Sequence, residues 1–316
     1  MTPKKISIAL ATYNAEKYVV EQLKSLVLQT RLPDEIVISD DASTDGTVDL
    51  IYLFLENHKN ISIKLIRNST RVGPTFNFER AMLTCTGDIV FLCDQDDVWN
   101  EKKIETMTLL FDDDSLTLVL CDAYIWQSDT KIPNTTLWKK IGFCPDRFDP
   151  CNNLLKKTIA FGLTMAYRNT EKLRNALFPY PKLWGHDGWL ALICTAIGGV
   201  GFVNKPLLYY RQHSMQVSGA FGIKSATSKL ITPNSDALFY LVKRLEKVFL
   251  RGNNYCKLLE FATKKSEHLC RREKVISQNV SLRPFAALRL LVKGEYHKFS
   301  NGFRSFLKDI LALDRV

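Results

Sequence analysis

A chain of 316 residues, 46% apolar and 24% charged, buries a full core and is too long for one small domain, so one large domain with an appendage is expected. Its eight cysteines (85, 93, 121, 144, 151, 194, 256 and 270) form no CxxC pair, and most lie in apolar runs such as Val90-Phe91-Leu92-Cys93, which excludes a disulfide frame and a zinc site and points to a reducing cytosol. The net charge of +10 is concentrated in residues 220–316, with 19 Lys and Arg against 8 Asp and Glu; the remainder holds 24 against 25, which argues against a basic nucleic-acid cleft.

Met1 to Lys5 lead straight into a strand, so no signal peptide is expected and the protein should stay in the cytoplasm. Ile6 to Ala11 alternate as that strand, and Asn14-Ala15-Glu16 open an amphipathic helix carrying Val19, Leu23, Leu26 and Val27. A second strand, Glu35 to Ser39, follows the Pro33-Asp34 turn. Asp41 to Thr47 is turn chemistry ending in a helix cap, before a helix from about Val48 to Glu56. Strand Ser62 to Ile66, a helix around Asn77 to Thr84 and strand Asp88 to Leu92 come next. This alternation predicts an α/β fold with right-handed crossovers, a mostly parallel central sheet and flanking helices.

Beyond Asp97 the pattern gives a helix near Lys102 to Phe111, strand Leu116 to Cys121, a loop-rich insertion from Gln127 to Pro150, and strand Gly162 to Tyr167. Gly188 to Asn204 carry no charge, but Gly198, Gly199 and Gly201 break the run, so a buried helix and strand are expected rather than a membrane span. From about Ser225 onward the periodicity is helical only, with Leu238, Leu241, Val242, Leu245, Val248 and Phe249 on one face. The domains are accordingly residues 1–220, catalytic, and 221–316, basic and mainly helical.

Ligands of open parallel sheets bind beyond the carboxyl ends of the strands. Four polar loops fall there: Thr12-Tyr13-Asn14, Asp40-Asp41, Asn68 to Arg71, and Asp94-Gln95-Asp96-Asp97. Three carboxylates in four residues repel one another unless a cation offsets them, and Mg²⁺ and Mn²⁺ prefer oxygen ligands. By itself the run reads more readily as a solvated turn in which Asp94 or Asp96 caps the helix that follows. Asp112-Asp113-Asp114, just as acidic but after a helix, reads as such a turn.

In combination, Ala11-Thr12-Tyr13-Asn14, Ser39 to Thr47, Asn68 to Asn77 with Gly73, and Thr86-Gly87-Asp88 leading to Asp94-Gln95-Asp96-Asp97-Val98-Trp99 resemble the family 2 glycosyltransferases of the GT-A fold, over roughly residues 5–215. The resemblance implies a Rossmann-like nucleotide-diphospho-sugar transferase with a C-terminal helical extension. It implies transfer of a sugar with inversion from a nucleotide-diphosphate donor to a glycan or lipid-linked acceptor, with Mn²⁺ or Mg²⁺ as cofactor. It places Thr12, Tyr13 and Asn14 at the nucleotide, Asp41 on the base, Asp94 and Asp96 at the ribose and pyrophosphate, and Asp96, Asp97 and His213 on the metal. Arg71, Asn77 and Arg211 would join the donor site. Ala11 stands where the family more often shows proline, which changes loop stiffness and not ligand chemistry.

Asp187, in Trp184-Gly185-His186-Asp187-Gly188-Trp189, matches the acidic pair before a helix and would be the general base; its position also suits a helix cap. Trp184 would offer a stacking face to the acceptor, and His186 is given no catalytic role. The run Asp94 to Trp99, Phe161 to Met165 and Tyr210-Arg211-Gln212-His213 are similar to bacterial rhamnosyltransferases of surface polysaccharide synthesis, which would make dTDP-rhamnose the donor. The alternatives are another UDP- or dTDP-sugar, a sugar nucleotidyltransferase, disfavoured because the first loop is neither Gly-rich nor basic, or a non-catalytic nucleotide-sugar-binding protein. The basic tail is expected to rest on the inner face of the plasma membrane through anionic lipid, or else to pack on the core or form a homodimer.

Overall fold

The computed structural model describes residues 3–59, 61–127, 135–156, 159–182, 184–213, 235–247, 253–277, 282–300 and 303–311. Strand β1 (Ile6–Thr12), helix α1 (Val19–Val27), β2 (Glu35–Asp40), α2 (Thr47–Asn57), β3 (Ser62–Arg67), α3 (Pro74–Thr84) and β4 (Ile89–Cys93) alternate as the periodicity predicts. The first helix begins later than expected, because Ala15 to Tyr18 close a turn onto the Ala15 carbonyl. The four strands pair in parallel in the order β3-β2-β1-β4, and β1, β2 and β4 are buried.

The second half departs from the parallel expectation. Strand β5 (Val98–Trp99), helix α4 (Lys103–Leu110), β6 (Leu116–Gln127), β7 (Thr135–Thr136) and α5 (Leu137–Ile141) precede β8 (Met165–Arg168). After α6 (Glu171–Leu177) and α7 (His186–Ile197), the long strand β9 (Gly199–Gln212) returns into the same sheet. The order continues β4-β8-β6-β9-β5, antiparallel at every contact except β6 with β9, so the sheet is mixed. The run 188–204 is the buried helix and strand foreseen, and among the described residues no helix is long and apolar enough to cross a membrane.

The expected insertion at 127–150 is described at Gln127 and over 135–150, with residues 128–134 outside the description. Its aromatics are core: Trp138 is buried, with its ring 5.2 Å from Phe143 and 6.1 Å from Phe202 between centroids. Asp112 to Asp114 form an exposed turn after α4.

The C-terminal elements are α8 (Ser235–Lys247), α9 (Asn253–Ser277), α10 (Arg283–Val292), α11 (Glu295–Phe299) and α12 (Phe303–Leu311). The proposed boundary at 220/221 lies outside the described residues, as do Val248 and Phe249. Leu238, Leu241 and Leu245 of α8 and Leu258 and Ala262 of α9 enter the same core as α7. Arg244 also donates to the Ala176 and Phe178 carbonyls at the end of α6. These leucines and Ala262 therefore belong to the core around α7. Val275, Ala287, Leu290, Tyr296 and Phe306 form a separate small core between α9 and the last three helices.

Candidate active site

The parallel half presents its loops at the carboxyl ends of β1, β2, β3 and β4, and side chains tie them together. Thr12 Oγ1 donates to Asp40 Oδ1 at 3.0 Å, and Asn77 Nδ2 donates to the Thr12 and Ser39 carbonyls at 3.2 and 2.8 Å. Asn14, in the left-handed region at φ 48°, donates its N–H to Ser43 Oγ at 2.9 Å, and its Oδ1 accepts from the Thr44 N–H at 2.9 Å. Asp41 is 2% exposed. Its Oδ1 accepts from Val72 N–H (2.7 Å) and Asn68 Nδ2 (3.0 Å), and its Oδ2 from Gly73 N–H (2.9 Å). Gly73 has φ 89°, where a side chain would be strained, and this turn aims two N–H groups at one carboxylate. A shallow cavity of about 370 Å³ opens beside Ala42, Arg67, Asn68 and Ser69.

Gln95 is a site residue that sequence reasoning passed over. Its Oε1 accepts from Tyr13 N–H at 2.6 Å and its Nε2 donates to the Tyr13 carbonyl at 3.1 Å, joining the first loop to the acidic loop. The signal was available, since a neutral amide between Asp94 and Asp96 is the one member of the run able to donate and accept together. Arg71 covers the other side of that loop, with its guanidinium 4.0 Å from the Tyr13 ring centroid.

The acidic run divides by direction. Asp96 Oδ2 lies 2.8 Å from His213 Nε2, so the last residue described after β9 meets the loop after β4. Asp97 turns inward: it is 1% exposed, its Oδ1 accepts from Arg211 N–H at 3.1 Å, and its Oδ2 is buried without a partner. Burial and the neighbouring Asp96 and Asp94 push the Asp97 carboxyl well above the usual range. Burial first, then the charges of Asp96 and of Asp187 at the start of α7, also raise the Asp94 carboxyl. Asp187 Oδ1 accepts from Gly188 N–H at 2.7 Å.

Two expectations are corrected here. Arg211 makes no approach to an open pyrophosphate position: it is 5% exposed, its Nε donates to the Asp96 carbonyl at 2.8 Å, one terminal nitrogen reaches Glu21 of α1 at 2.5 Å, and its guanidinium lies 4.0 Å from the Trp126 ring centroid. It clamps the acidic loop from behind. Trp184 offers no free stacking face, because the indole is 7% exposed, packs against Trp189 and donates its N–H to the Ala237 carbonyl at 3.0 Å.

Lys103 was not anticipated. It is fully buried under the acidic loop, donates to the Leu163 carbonyl at 2.6 Å and lies 3.7 Å from the Trp99 ring centroid. Its ammonium lowers the cost of charge on Asp94 and Asp97, while its own burial pulls its pKa down.

A divalent cation fits part of this set. Among the described residues no three His, Cys, Asp or Glu side chains converge as a metal-binding group. Asp96 and His213 nevertheless pair a carboxylate oxygen with an imidazole nitrogen, a donor set suited to Mn²⁺. Burial and mutual repulsion raise the Asp94 and Asp97 carboxyls, and a cation beside them would favour their charged forms. Asp97 itself, with both oxygens directed inward, belongs to the support of this site and not to its open face.

The family model for glycosyl transferase family 2 matches residues 7–169, just over half of the chain. The chain belongs to that family. It is a glycosyltransferase acting with a nucleotide-sugar donor. An uncharacterised glycosyltransferase of Nostoc sp. is 27% identical over 245 residues, 71% of this chain and 69% of that protein. The abequosyltransferase of Salmonella typhimurium is 34% identical over 119 residues, 37% of this chain and 35% of its own length. The dTDP-rhamnosyl transferase of Shigella flexneri is 35% identical over 100 residues, 30% and 34% of the two chains. Two of these matches thus span about a third of the relative. Among solved structures, TarS of Staphylococcus aureus bound to UDP-GlcNAc aligns over 97% of this chain and 81% of that one, with TM-score 0.60 and 18% identity. A mannosyltransferase of Pyrobaculum calidifontis with GDP-Man and Mn²⁺ aligns over 98% and 86%, with TM-score 0.55 and 18% identity. These likenesses identify the GT-A fold.

Proposed function

We propose that this glycosyltransferase works with inversion and a divalent cation, moving rhamnose from dTDP-rhamnose to a glycan or lipid-linked glycan of bacterial surface polysaccharide. The inverting reading is supported by Asp187 at the start of α7, whose charge is felt at the buried Asp94 carboxyl, and by the contact of Asp96 with His213. The rhamnosyl reading rests on the run Asp94 to Trp99 and on the likeness to the Shigella flexneri rhamnosyl transferase.

In this reading the loops around Thr12, Asn14, Asp41 and Asn77 hold the nucleotide. Because the Asp41 carboxylate is committed to Asn68, Val72 and Gly73, its part is to set the wall of the base pocket, and the base meets neighbouring backbone groups. Asp96 and His213 would hold the cation, which when bound neutralises charge on the departing diphosphate. Asp187 accepts the proton of the acceptor hydroxyl as that oxygen attacks the anomeric carbon opposite the diphosphate. The new glycosidic bond forms while the bond to phosphate oxygen breaks, and the electron pair leaves with the nucleotide diphosphate.

The test is a thermal-shift screen of dTDP, UDP, GDP and their sugars with and without Mn²⁺, followed by turnover of the stabilising donor. A Mn²⁺-dependent shift largest for dTDP and dTDP-rhamnose is expected. A larger shift and faster turnover with UDP-GlcNAc would overturn the rhamnosyl assignment and leave the inverting chemistry standing. For the base, Asp187→Asn should cut transfer by about 10²- to 10⁴-fold while donor binding stays near normal. Loss of donor binding instead would remove Asp187 from that role.

A further inference from the structure

Polar and apolar groups of the last three helices are sorted by direction. Residues 283–311 contain six Lys and Arg and two acids, Glu295 and Asp309, and both acids turn inward. Asp309, 1% exposed, accepts from Arg272 and from the Tyr296 hydroxyl, while Glu295 pairs with His268 and Arg271. No carboxylate of these helices is left to face water among the described residues.

Large apolar side chains face outward instead. Leu282, Phe285, Leu288 and Val292 are 55%, 74%, 48% and 79% exposed. Their spacing of three, three and four residues puts them on one side of α10, opposite the buried Ala287 and Leu290. Arg289 and Lys293, both exposed, flank this row. Helix α12, packed on α10, adds exposed Phe303 and Leu307. Scattered exposed leucines need no explanation, whereas an ordered row along one helix marks a surface that is covered in use.

We propose that the outer face of α10, with α12 beside it, docks on an anionic phospholipid surface. Charge complementarity selects this occupant: a second copy would bring Arg289 and Lys293 against like charge, whereas an anionic leaflet neutralises them. Ten residues of α10 cannot cross a bilayer, so the helix lies in the interfacial plane with Phe285 and Val292 inserted. Leu238, Leu241 and Leu245 of α8 and Leu258 and Ala262 of α9 are buried in the core that α7 enters and are not available to this surface.

The test is co-sedimentation of the full chain with vesicles of phosphatidylcholine alone and with vesicles about one-third phosphatidylglycerol. The wild-type chain should pellet with the anionic vesicles only, and added salt should release it. Arg289→Gln/Lys293→Gln and Phe285→Ser/Val292→Ser should each weaken the binding roughly tenfold or more, with unchanged melting temperature and donor turnover. Equal pelleting on neutral vesicles, or no effect of both double variants, would overturn the proposal. So would a dimer in light scattering that Phe285→Ser/Val292→Ser dissociates, because the face would then be an interface between copies.

Discussion

Gln95 carries both ends of its amide to the backbone of Tyr13, so one side chain sets the distance between the first loop and the acidic loop. Gln95→Glu places a second acceptor against the Tyr13 carbonyl and removes the donor. The expected outcome is a rise in donor KM of about tenfold, the effect of roughly 1–2 kcal/mol of lost hydrogen bonding, with a smaller change in kcat. Lys103 is the other residue whose removal should be felt, because Lys103→Met leaves the Leu163 carbonyl buried without a donor. An unfolding free energy lower by about 1–3 kcal/mol is expected from denaturant titration, and an unchanged value would show that the ammonium is dispensable there.

At the scale of elements, Glu35 joins three of them. Its carboxylate accepts from Ser7 of β1 and from the N–H and hydroxyl of Thr86, in the turn before β4, while the residue itself opens β2. Burial acts to raise its pKa, and those hydrogen bonds together with the Gly87 N–H outweigh it, so the folded value lies below the ordinary 4.5. A depressed folded pKa contributes stability above the unfolded value and loses it as pH falls through the folded one. Glu35→Gln should therefore lower the melting temperature at neutral pH, and the gap to wild type should narrow as the medium becomes more acidic than the ordinary carboxylate value. The β1 to β4 elements, with their rim loops, were legible in the sequence because β1, β2 and β4 are buried apolar runs and their helices repeat at regular intervals. The mixed half was not legible. The two-residue strand β5 has no periodicity to read, and the pairing of β6 with β9 is shifted in register at three places by irregularities that leave no local trace. Arg211 and Trp184 were misplaced for a related reason. Motif spacing brings a residue to the rim without saying whether its side chain faces the ligand or the core.

The whole molecule contains a second polar centre far along the chain from the catalytic one. Arg272 of α9 grips Asp309 of α12 through two nitrogens, Tyr296 of α11 donates to the same carboxylate, and all of it lies against the small core of Val275, Ala287 and Leu290. The guanidinium pKa is raised: burial works against the charge, and the Asp309 hydrogen bonds and charge more than compensate. Arg272→Met leaves the buried Asp309 without its counter-charge, held by the Tyr296 hydroxyl, at a cost of about 3 kcal/mol or more. Hydrogen exchange should then rise across 283–311 while turnover of a soluble donor and acceptor pair is retained. Equal loss of protection in β1 to β4 would show that the two regions unfold as one.

The hydrogen bonds among Thr12, Asn14, Asp40, Asp41, Asn68 and Asn77 close within the first 77 residues, whereas Asp187, Arg211 and His213 arrive more than 100 residues later, beyond the segment that the family model matches. On the proposed reading, then, the loops that hold the nucleotide are synthesised well before the residues of the catalytic step. The earlier segment carries those loops and the later one carries the proton acceptor. A chimera joining residues 1–169 of this chain to the following segment of a relative should keep the nucleotide preference read by thermal shift and take its acceptor from the new partner.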